Sequence, residues 1–303
     1  MSTESDSERG WRPVRTADGS LTALHPVHGQ PAHDLEGARS EARERYARPC
    51  LLDLVQPGST VRLLDVGTGL GLNLAAALEA VEGRGARLEA VGLELDPQVL
   101  TLSAELAPDR DPAFERAWRE VRRALGAALD PRQGECALGL RSRLDLRVED
   151  APQVLRGELL GGPFDAIFLD GFAPALGGPL WEPPFLAALA RRLAPGGRLA
   201  TYTASARVRA GLLAAGLSVG LPERVGRKSA GTLALAGPVT GPRVGRLETS
   251  QAAKLRRRAE RLGGTPGPGK PDGATRASTI MMPASCVRRT SDVTGLVRRP
   301  SEA

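Results

Sequence analysis

The sequence predicts an α/β protein: a doubly wound, mainly parallel sheet finished by a C-terminal antiparallel hairpin. Three observations predict it. Short apolar strands alternate with Ala/Leu-rich helices through the middle of the 303 residues. Each strand ends at a glycine or an acid, as strands do where the chain turns toward a ligand. The segment after Gly216 then changes to two short strands with no helix between them. Strand–helix alternation requires crossover connections, and crossovers give parallel strands with helices on both faces.

Taken in order, residues 1–20 have little apolar content and are expected to be flexible. Residues 21–60 form a lead-in, with a polar helix expected from about Leu35 to Leu54. Strands follow near Val61–Val66, Leu88–Leu93, Leu144–Val148, Phe164–Leu169 and Arg198–Thr203, each a short apolar run. Helices are expected near Leu72–Val81, Gln98–Ala107, Trp181–Leu193 and Arg207–Ala215. A long insertion at 109–140 interrupts the pattern and carries a helical stretch around Phe114–Leu129. Ala194-Pro-Gly-Gly197 reads as a helix stop before the next strand. Ser218–Pro222 and Thr232–Ala236 supply the closing hairpin. Residues 21–240 thus make one domain, and 241–303 a Gly/Pro/Ser/Arg-rich tail expected to be largely disordered apart from a short basic helix at Gln251–Leu262.

Charge is unevenly placed. Residues 241–303 hold 13 Lys/Arg against 5 Asp/Glu, so the tail carries +8 while residues 1–240 sum to −2. The high isoelectric point belongs to the tail. Only Lys228, Lys254 and Lys270 are lysines, and an arginine bias beside abundant Ala, Gly and Pro is also what genomic base composition produces. Cys50, Cys136 and Cys286 are scattered and odd in number, which argues against a disulfide framework or zinc cluster and for a reducing compartment. Met1–Gly10 has no apolar core segment and no stretch is apolar for the length of a membrane span, so a cytoplasmic, soluble protein with no membrane partner is expected.

Two runs carry the chemistry. Arg62-Leu-Leu-Asp65-Val-Gly67-Thr-Gly69-Leu-Gly71-Leu-Asn73 is a strand that ends in an acid and opens into a glycine turn, where the backbone bends tightly and comes close to a ligand. Phe164-Asp-Ala-Ile-Phe-Leu-Asp170-Gly-Phe172-Ala-Pro174 is a second buried strand ending in a carboxylate beside an aromatic and a proline. In open α/β sheets ligands sit at the carboxyl ends of the strands. Glu94 ends the second strand, where an acid accepts both hydroxyls of a ribose; Asp150 ends the third, within reach of an adenine amino group. The Gly-x-Gly-x-Gly spacing departs from the Gly-x-Gly-x-x-Gly pyrophosphate fingerprint. With Asp65 two residues before the first glycine and Asp150 at the third strand end, the set resembles an S-adenosylmethionine-dependent methyltransferase more than a dinucleotide oxidoreductase.

The residues further resemble the methyltransferase domain of MnmC-type tRNA 5-methylaminomethyl-2-thiouridine biosynthesis enzymes, over roughly residues 20–237. The strongest blocks are Gly67-Thr-Gly-Leu-Gly-Leu-Asn73, Phe164 to Ala175, and Leu193-Ala-Pro-Gly-Gly-Arg-Leu-Ala-Thr-Tyr-Thr203. Weaker agreement lies at Gly37, Glu41, Trp181, Val208-Arg209 and Gly226-Arg-Lys228. The resemblance implies a Rossmann-like class I methyltransferase sheet and methylation of an aminomethyl group on the wobble uridine of tRNA. It implies S-adenosylmethionine as cofactor, held by Asp65, Gly67, Gly69, Gly71, Asn73, Glu94 and Asp150, with no metal. Asp170 would take or orient the proton of the substrate amine, and Phe172, Pro174, Trp181, Arg227 and Lys228 would line the substrate pocket. Bifunctional members carry a flavin oxidase domain; here no flavin is expected, and a separate flavin oxidase would act upstream.

The substrate-facing half departs from the family pattern. Leu176-Gly-Gly-Pro-Leu180 replaces the usual segment before the Trp, Arg224-Val-Gly-Arg-Lys-Ser-Ala-Gly231 replaces an aromatic- and Met-containing ending, and Ala32-His33 stand where an aromatic pair is usual. Two rival readings therefore stay open: a methyltransferase or aminopropyltransferase acting on a small amine, and a catalytically silent RNA-binding protein of the same fold. His25, His28 and His33 all lie in one short loop, with no acid or cysteine placed to complete a metal site; a loop near the mouth of the site is expected. A tRNA partner needs cations for its phosphates, and Lys254, Arg256, Arg257, Arg258 and Arg261 of the tail are the expected source.

Overall fold

The computed structural model describes residues 10–130, 135–157, 161–173, 178–223 and 231–263. The chain opens with β1 (Arg12–Arg15) and β2 (Leu21–Leu24), then α1 (Ala38–Glu41), a π-helical turn (Ala42–Ala47) and a 3₁₀ turn (Leu52–Leu54). The first half of the main sheet follows: β3 (Thr60–Val66), α2 (Leu72–Glu82), β4 (Arg87–Glu94), α3 (Pro97–Glu105), α4 (Pro112–Ala128), β5 (Cys136–Leu138) and β6 (Ser142–Val148). The second half holds α5 (Ala151–Val154), β7 (Phe164–Leu169), a 3₁₀ turn (Gly178–Trp181), α6 (Pro183–Ala190), β8 (Leu193–Thr201), α7 (Ala206–Ala214), β9 (Ser218–Pro222) and β10 (Thr232–Leu235). Last come β11 (Val244–Gly245) and α8 (Thr249–Arg261).

The main sheet runs β11-β9-β10-β8-β7-β3-β4-β6-β5. β8, β7, β3, β4 and β6 are parallel, while β10 lies antiparallel between β8 and β9. The α/β fold with a C-terminal hairpin is therefore as the sequence implies. From β3 the chain winds outward through β4 to β6, then returns to place β7 on the other side of β3. The order reverses between β3 and β7, so their carboxyl ends flank a crevice. Alternation along β3 supplies both layers: Val61 and Leu63 join the core under α2 and α4, and Leu64 and Val66 the core under α6 and α7. β7 is apolar almost throughout because both of its faces are covered.

Four local expectations need correction. Residues 12–15 are a strand, paired with β2 from Arg12↔Leu24 to Arg15↔Leu21. The expectation of a flexible N-terminus overlooked Asp18, whose carboxylate accepts from Ser20, Thr16 and Ser40 and so pins the hairpin turn to α1. The expected helix Leu35–Leu54 is broken into α1, a π turn and a 3₁₀ turn, with Leu51 at φ 60°; Pro49 lacks the N–H a continuous helix needs. Ala194-Pro-Gly-Gly197 belongs to β8, where the register jumps from Phe164↔Leu193 to Ala166↔Arg198, so α6 ends earlier than expected. Finally, the tail begins with an unexpected strand, β11, which adds to β9; the short basic helix expected at Gln251–Leu262 is α8, which buries Leu255 and Ala259 in packing against α7. The rest of the tail, 264–303, lies outside the described residues. Among the described residues no helix is long and apolar enough to cross a membrane.

Candidate active site

A cavity of about 760 Å³ opens at the carboxyl ends of β3, β4, β6 and β7. Its floor is the glycine turn. Gly67 stands at φ 83°, and a Cβ there would lie 2.2 Å from the Asp170 carbonyl oxygen, so only glycine lets the turns after β3 and β7 touch. The Asp170 N–H donates to Val66 O at 2.9 Å, and the Gly67 N–H donates to Leu93 O at 2.9 Å, locking three strand ends together. Gly71, at φ 75°, has a different partner: its Cβ would lie 2.6 Å from Val121 Cγ1 and 2.9 Å from Leu125 Cδ1 of α4. The third glycine thus serves helix packing.

The expected site residues divide into those that face the cavity and those behind it. Gly67, Gly69, Glu94, Asp150, Asp170 and Phe172 line it. Glu94 accepts from the backbone N–H groups of Gly69 (2.7 Å), Leu95 (2.8 Å) and Asp96 (2.9 Å), and burial raises its carboxyl above the ordinary value. Asp150 heads α5 without capping it by its side chain, which leaves the carboxylate to the cavity.

Asp65 lies behind the wall. It is fully buried, both carboxylate oxygens lack a hydrogen-bond partner, and its carboxyl is pushed up to about 8 by burial, then by Asp170 and Glu94. Asn73 is also buried, and its Nδ2 donates to Asp170 Oδ2 at 2.7 Å. Trp181 is buried too, donating from Nε1 to Phe172 O at 2.8 Å, so it holds the wall and does not form its surface. Pro174, Arg227 and Lys228 lie outside the described residues.

Asp170 faces the cavity with its carboxyl shifted toward neutrality. Burial, then the charge of Glu41, raises its carboxyl to about 7, against the lowering by the Tyr46 hydroxyl, the Asn73 amide and Arg45. Burial and the Asp170 charge in turn push the Tyr46 phenol up. A carboxyl with a pKa near neutrality in a cleft is suited to exchanging a proton. Tyr202 donates to Gly171 O at 3.0 Å and fixes the same turn.

Sequence reasoning missed the contribution of the N-terminal lead-in. Trp11, Asp34, Glu41 and Arg45 all line the cavity, as do His25, His28 and His33, in keeping with the expected loop at its mouth. The signal for Glu41 and Arg45 was their i,i+4 spacing, with Glu41 at the end of α1 and Arg45 in the π turn; Arg45 Nε lies 3.4 Å from Glu41 Oε1. His33 is buried with its Nδ1 3.3 Å from Thr22 Oγ1, and burial lowers it to about 4. Among the described residues no group of three His, Cys, Asp or Glu has the arrangement to hold a metal ion.

The lining as a whole is acidic. Among the described lining residues, Asp34, Glu41, Glu94, Asp96, Glu149, Asp150 and Asp170 face one guanidinium, Arg45. Such a cavity favours a cation and repels phosphate. A sulfonium nucleoside that also bears an ammonium fits that charge, and the turn at Gly67, with no room for a Cβ, fits a ligand lying close to backbone.

Comparison with known proteins bears on the same residues. A family model described as S-adenosyl-L-methionine-dependent methyltransferase matches residues 118–236, which hold Asp150 and Asp170. The crystal structure of MNMC2 from Aquifex aeolicus superposes with a TM-score of 0.64 at 30% identity, covering 82% of this chain and 76% of that one. The bifunctional protein MnmC of Caulobacter vibrioides, named for tRNA 5-methylaminomethyl-2-thiouridine biosynthesis, is 36% identical over 174 residues, 54% of this chain and 28% of its own length. Its counterpart in Pseudomonas paraeruginosa is 37% identical over 173 residues, 54% of this chain and 25% of its own. The chain thus spans about a quarter of the length of the curated relatives it matches.

Proposed function

We propose, on the premise that the chain belongs to the MnmC-type family of S-adenosyl-L-methionine-dependent methyltransferases, that it methylates the nitrogen of an aminomethyl group on the wobble uridine of tRNA. The observation that carries the reading is Asp170, a half-buried carboxyl with a pKa near neutrality in the wall of an acid-lined cavity, touching the glycine turn. The relatives' names supply the tRNA nucleotide, and the acidic lining supports an amine as the group that enters.

Asp65, Gly67, Gly69, Glu94 and Asp150 form the cofactor half, Gly67 and Gly69 as the close backbone and Glu94 and Asp150 as acceptors for hydroxyl and amino groups. Asp65 acts from behind the turn, as does Asn73 through Asp170. When bound, S-adenosylmethionine supplies an electrophilic methyl group on a sulfonium. The chain's own task is to deliver a neutral amine, because an ammonium has no lone pair to attack with. Asp170 accepts a hydrogen bond from the amine and takes the proton that nitrogen must lose. Asn73 holds the carboxylate in place and favours its charged form. Glu41, Asp96 and Glu149 keep the cavity attractive to an incoming ammonium. Outside the cavity α8 exposes Lys254, Arg256, Arg257, Arg258 and Arg261 beside a single acid, Glu260, and is the surface this reading assigns to phosphates.

The test is methyl transfer from labelled S-adenosylmethionine to tRNA bearing aminomethyluridine, with Asp170→Asn as the control. Label in methylaminomethyluridine, lost about 10²-fold or more in the variant, is expected. Label in free small amines but none in tRNA would replace the reading with a small-amine methyltransferase. Cofactor binding with no transfer to either would favour a silent RNA-binding protein.

A further inference from the structure

The rings at the cavity mouth are not used by this mechanism, yet they form a connected group. Trp11 and Phe172 lie parallel, with centroids 6.1 Å apart and planes at 26°. His25 meets both edge-on, at 4.9 Å from Trp11 and 4.8 Å from Phe172, and stacks on His28 at 4.5 Å. All four line the cavity, and none is fully buried. Phe172 stands two residues after Asp170, so the rings adjoin the proton-accepting end of the cavity. The Trp11 Nε1–H donates to Asp96 Oδ2 at 2.7 Å, which anchors β1 across the mouth.

His25 adds a polar element to these flat surfaces. Its Nδ1 accepts from the backbone N–H groups of Val27 and His28, both at 3.1 Å. A nitrogen that accepts carries no proton, so the neutral ring bears its hydrogen on Nε2. Burial, then the neighbouring His28, lowers the pKa of His25 and favours that neutral form. The mouth therefore combines ring faces with an N–H donor, that of His25, in a fixed tautomer. The acids among the described lining residues disfavour phosphate, so an uncharged or cationic part of an RNA is the better fit to this end of the cavity.

We propose that Trp11, His25, His28 and Phe172 form a receptacle for the pyrimidine ring of the substrate nucleotide, swung out of the RNA so that its aminomethyl arm reaches Asp170. The ring stacks on the aromatic faces, and the His25 Nε2–H donates to a carbonyl of the pyrimidine edge. The sugar and phosphates remain outside the acidic lining. Extrusion is least costly for an unpaired nucleotide, which suits a loop base over a paired one. This inference rests on the tRNA reading above and adds to it the means by which one base is selected.

The test uses the full chain with S-adenosylhomocysteine and two anticodon stem-loops, one with 5-aminomethyluridine at the wobble position and one abasic there. By fluorescence anisotropy, the wild type is expected to bind the first at least about tenfold more tightly, a difference of about 1.4 kcal/mol. Trp11→Ala and His25→Ala are expected to erase most of that ratio while S-adenosylmethionine affinity, which also reports folding, stays within about twofold. Trp11→Phe should keep most of it. A wild type that ignores the abasic change, or Ala variants that retain the preference, would overturn the receptacle. Parallel loss of S-adenosylmethionine affinity in Ala variants whose circular dichroism and melting match the wild type would overturn it too, assigning the rings to the cofactor. Methylation of tRNA by the wild type is read separately. Transfer without base preference sinks only the receptacle, and preference without transfer sinks only the functional reading.

Discussion

Asn73→Ala separates the roles of the two side chains that meet at the cavity wall. The Asn73 amide donates to Asp170 Oδ2 at 2.7 Å, and this bond is one of the groups that lower the Asp170 carboxyl toward about 7 against its burial. Removing a donor to a charged acceptor costs about 1.5–3 kcal/mol of preference for the charged form. At about 1.36 kcal/mol per pH unit, the Asp170 midpoint moves up by about one to two units. The sign follows from which form is favoured: losing the donor disfavours the carboxylate, so a higher pH is needed to empty the base. At pH 7 the unprotonated fraction falls from about one half to between about 1 and 10%, and kcat with it by roughly five- to fiftyfold. Above about pH 9 the variant should recover most of the wild-type rate. The assay is initial methyl transfer to aminomethyluridine tRNA at saturating substrates from pH 5.5 to 9.5, each variant beside the wild type so that the substrate amine's own titration cancels. A loss of equal size at every pH would refute the reasoning, since Asn73 would then act by placement alone.

Three other outcomes are expected. Asp65 titrates near 8 when folded and near 3.8 when unfolded, so between these values only the folded state keeps the proton and stability falls as pH rises. Denaturant melts at pH 5 and pH 9 should show an Asp65 contribution to the loss of about 4 kcal/mol at most, absent in Asp65→Asn, and identical pH dependence in both would count against the buried acid. Gly67→Ala drives a Cβ into the Asp170 carbonyl at 2.2 Å and should weaken S-adenosylmethionine at least about tenfold by calorimetry, an unchanged affinity meaning that the turns need not touch. The triple change Arg256→Ala, Arg257→Ala and Arg258→Ala should lower the slope of log affinity for tRNA against log salt by about 0.7–0.9 per lost phosphate contact, whereas an unaltered slope would make α8 a merely solvated helix.

Much of this architecture was legible in the sequence because its signals are local. β7 is the same six residues, Phe164–Leu169, in expectation and structure, since a strand buried on both faces reads as an unbroken apolar run. α4 was likewise visible from its amphipathic stretch around Phe114, Trp118 and Val121, all of which it buries. What escaped notice depends on contacts distant in sequence. β1 is mostly exposed, and its order comes from Asp18 reaching Ser40. β11 is only two residues long, and it is a strand because it pairs with β9 along Val244↔Pro222 and Gly245↔Leu221. In the site, the strand-end acids announced themselves by position. Spacing alone could not show that Asn73 faces Asp170, 97 residues away, or that Trp11 reaches Asp96 across 85.

The packing of Gly71 against α4 reaches beyond the cavity. The third glycine of the turn has the insertion helix for its neighbour, so its identity is coupled to Val121 and Leu125. In related chains that keep this insertion, bulk at position 71 should be matched by smaller side chains at 121 or 125. Chains that lack the helix are released from that coupling and are free to place any residue that tolerates a left-handed turn there. The spacing of a glycine signature then records which helix leans on the turn as much as which molecule the turn holds.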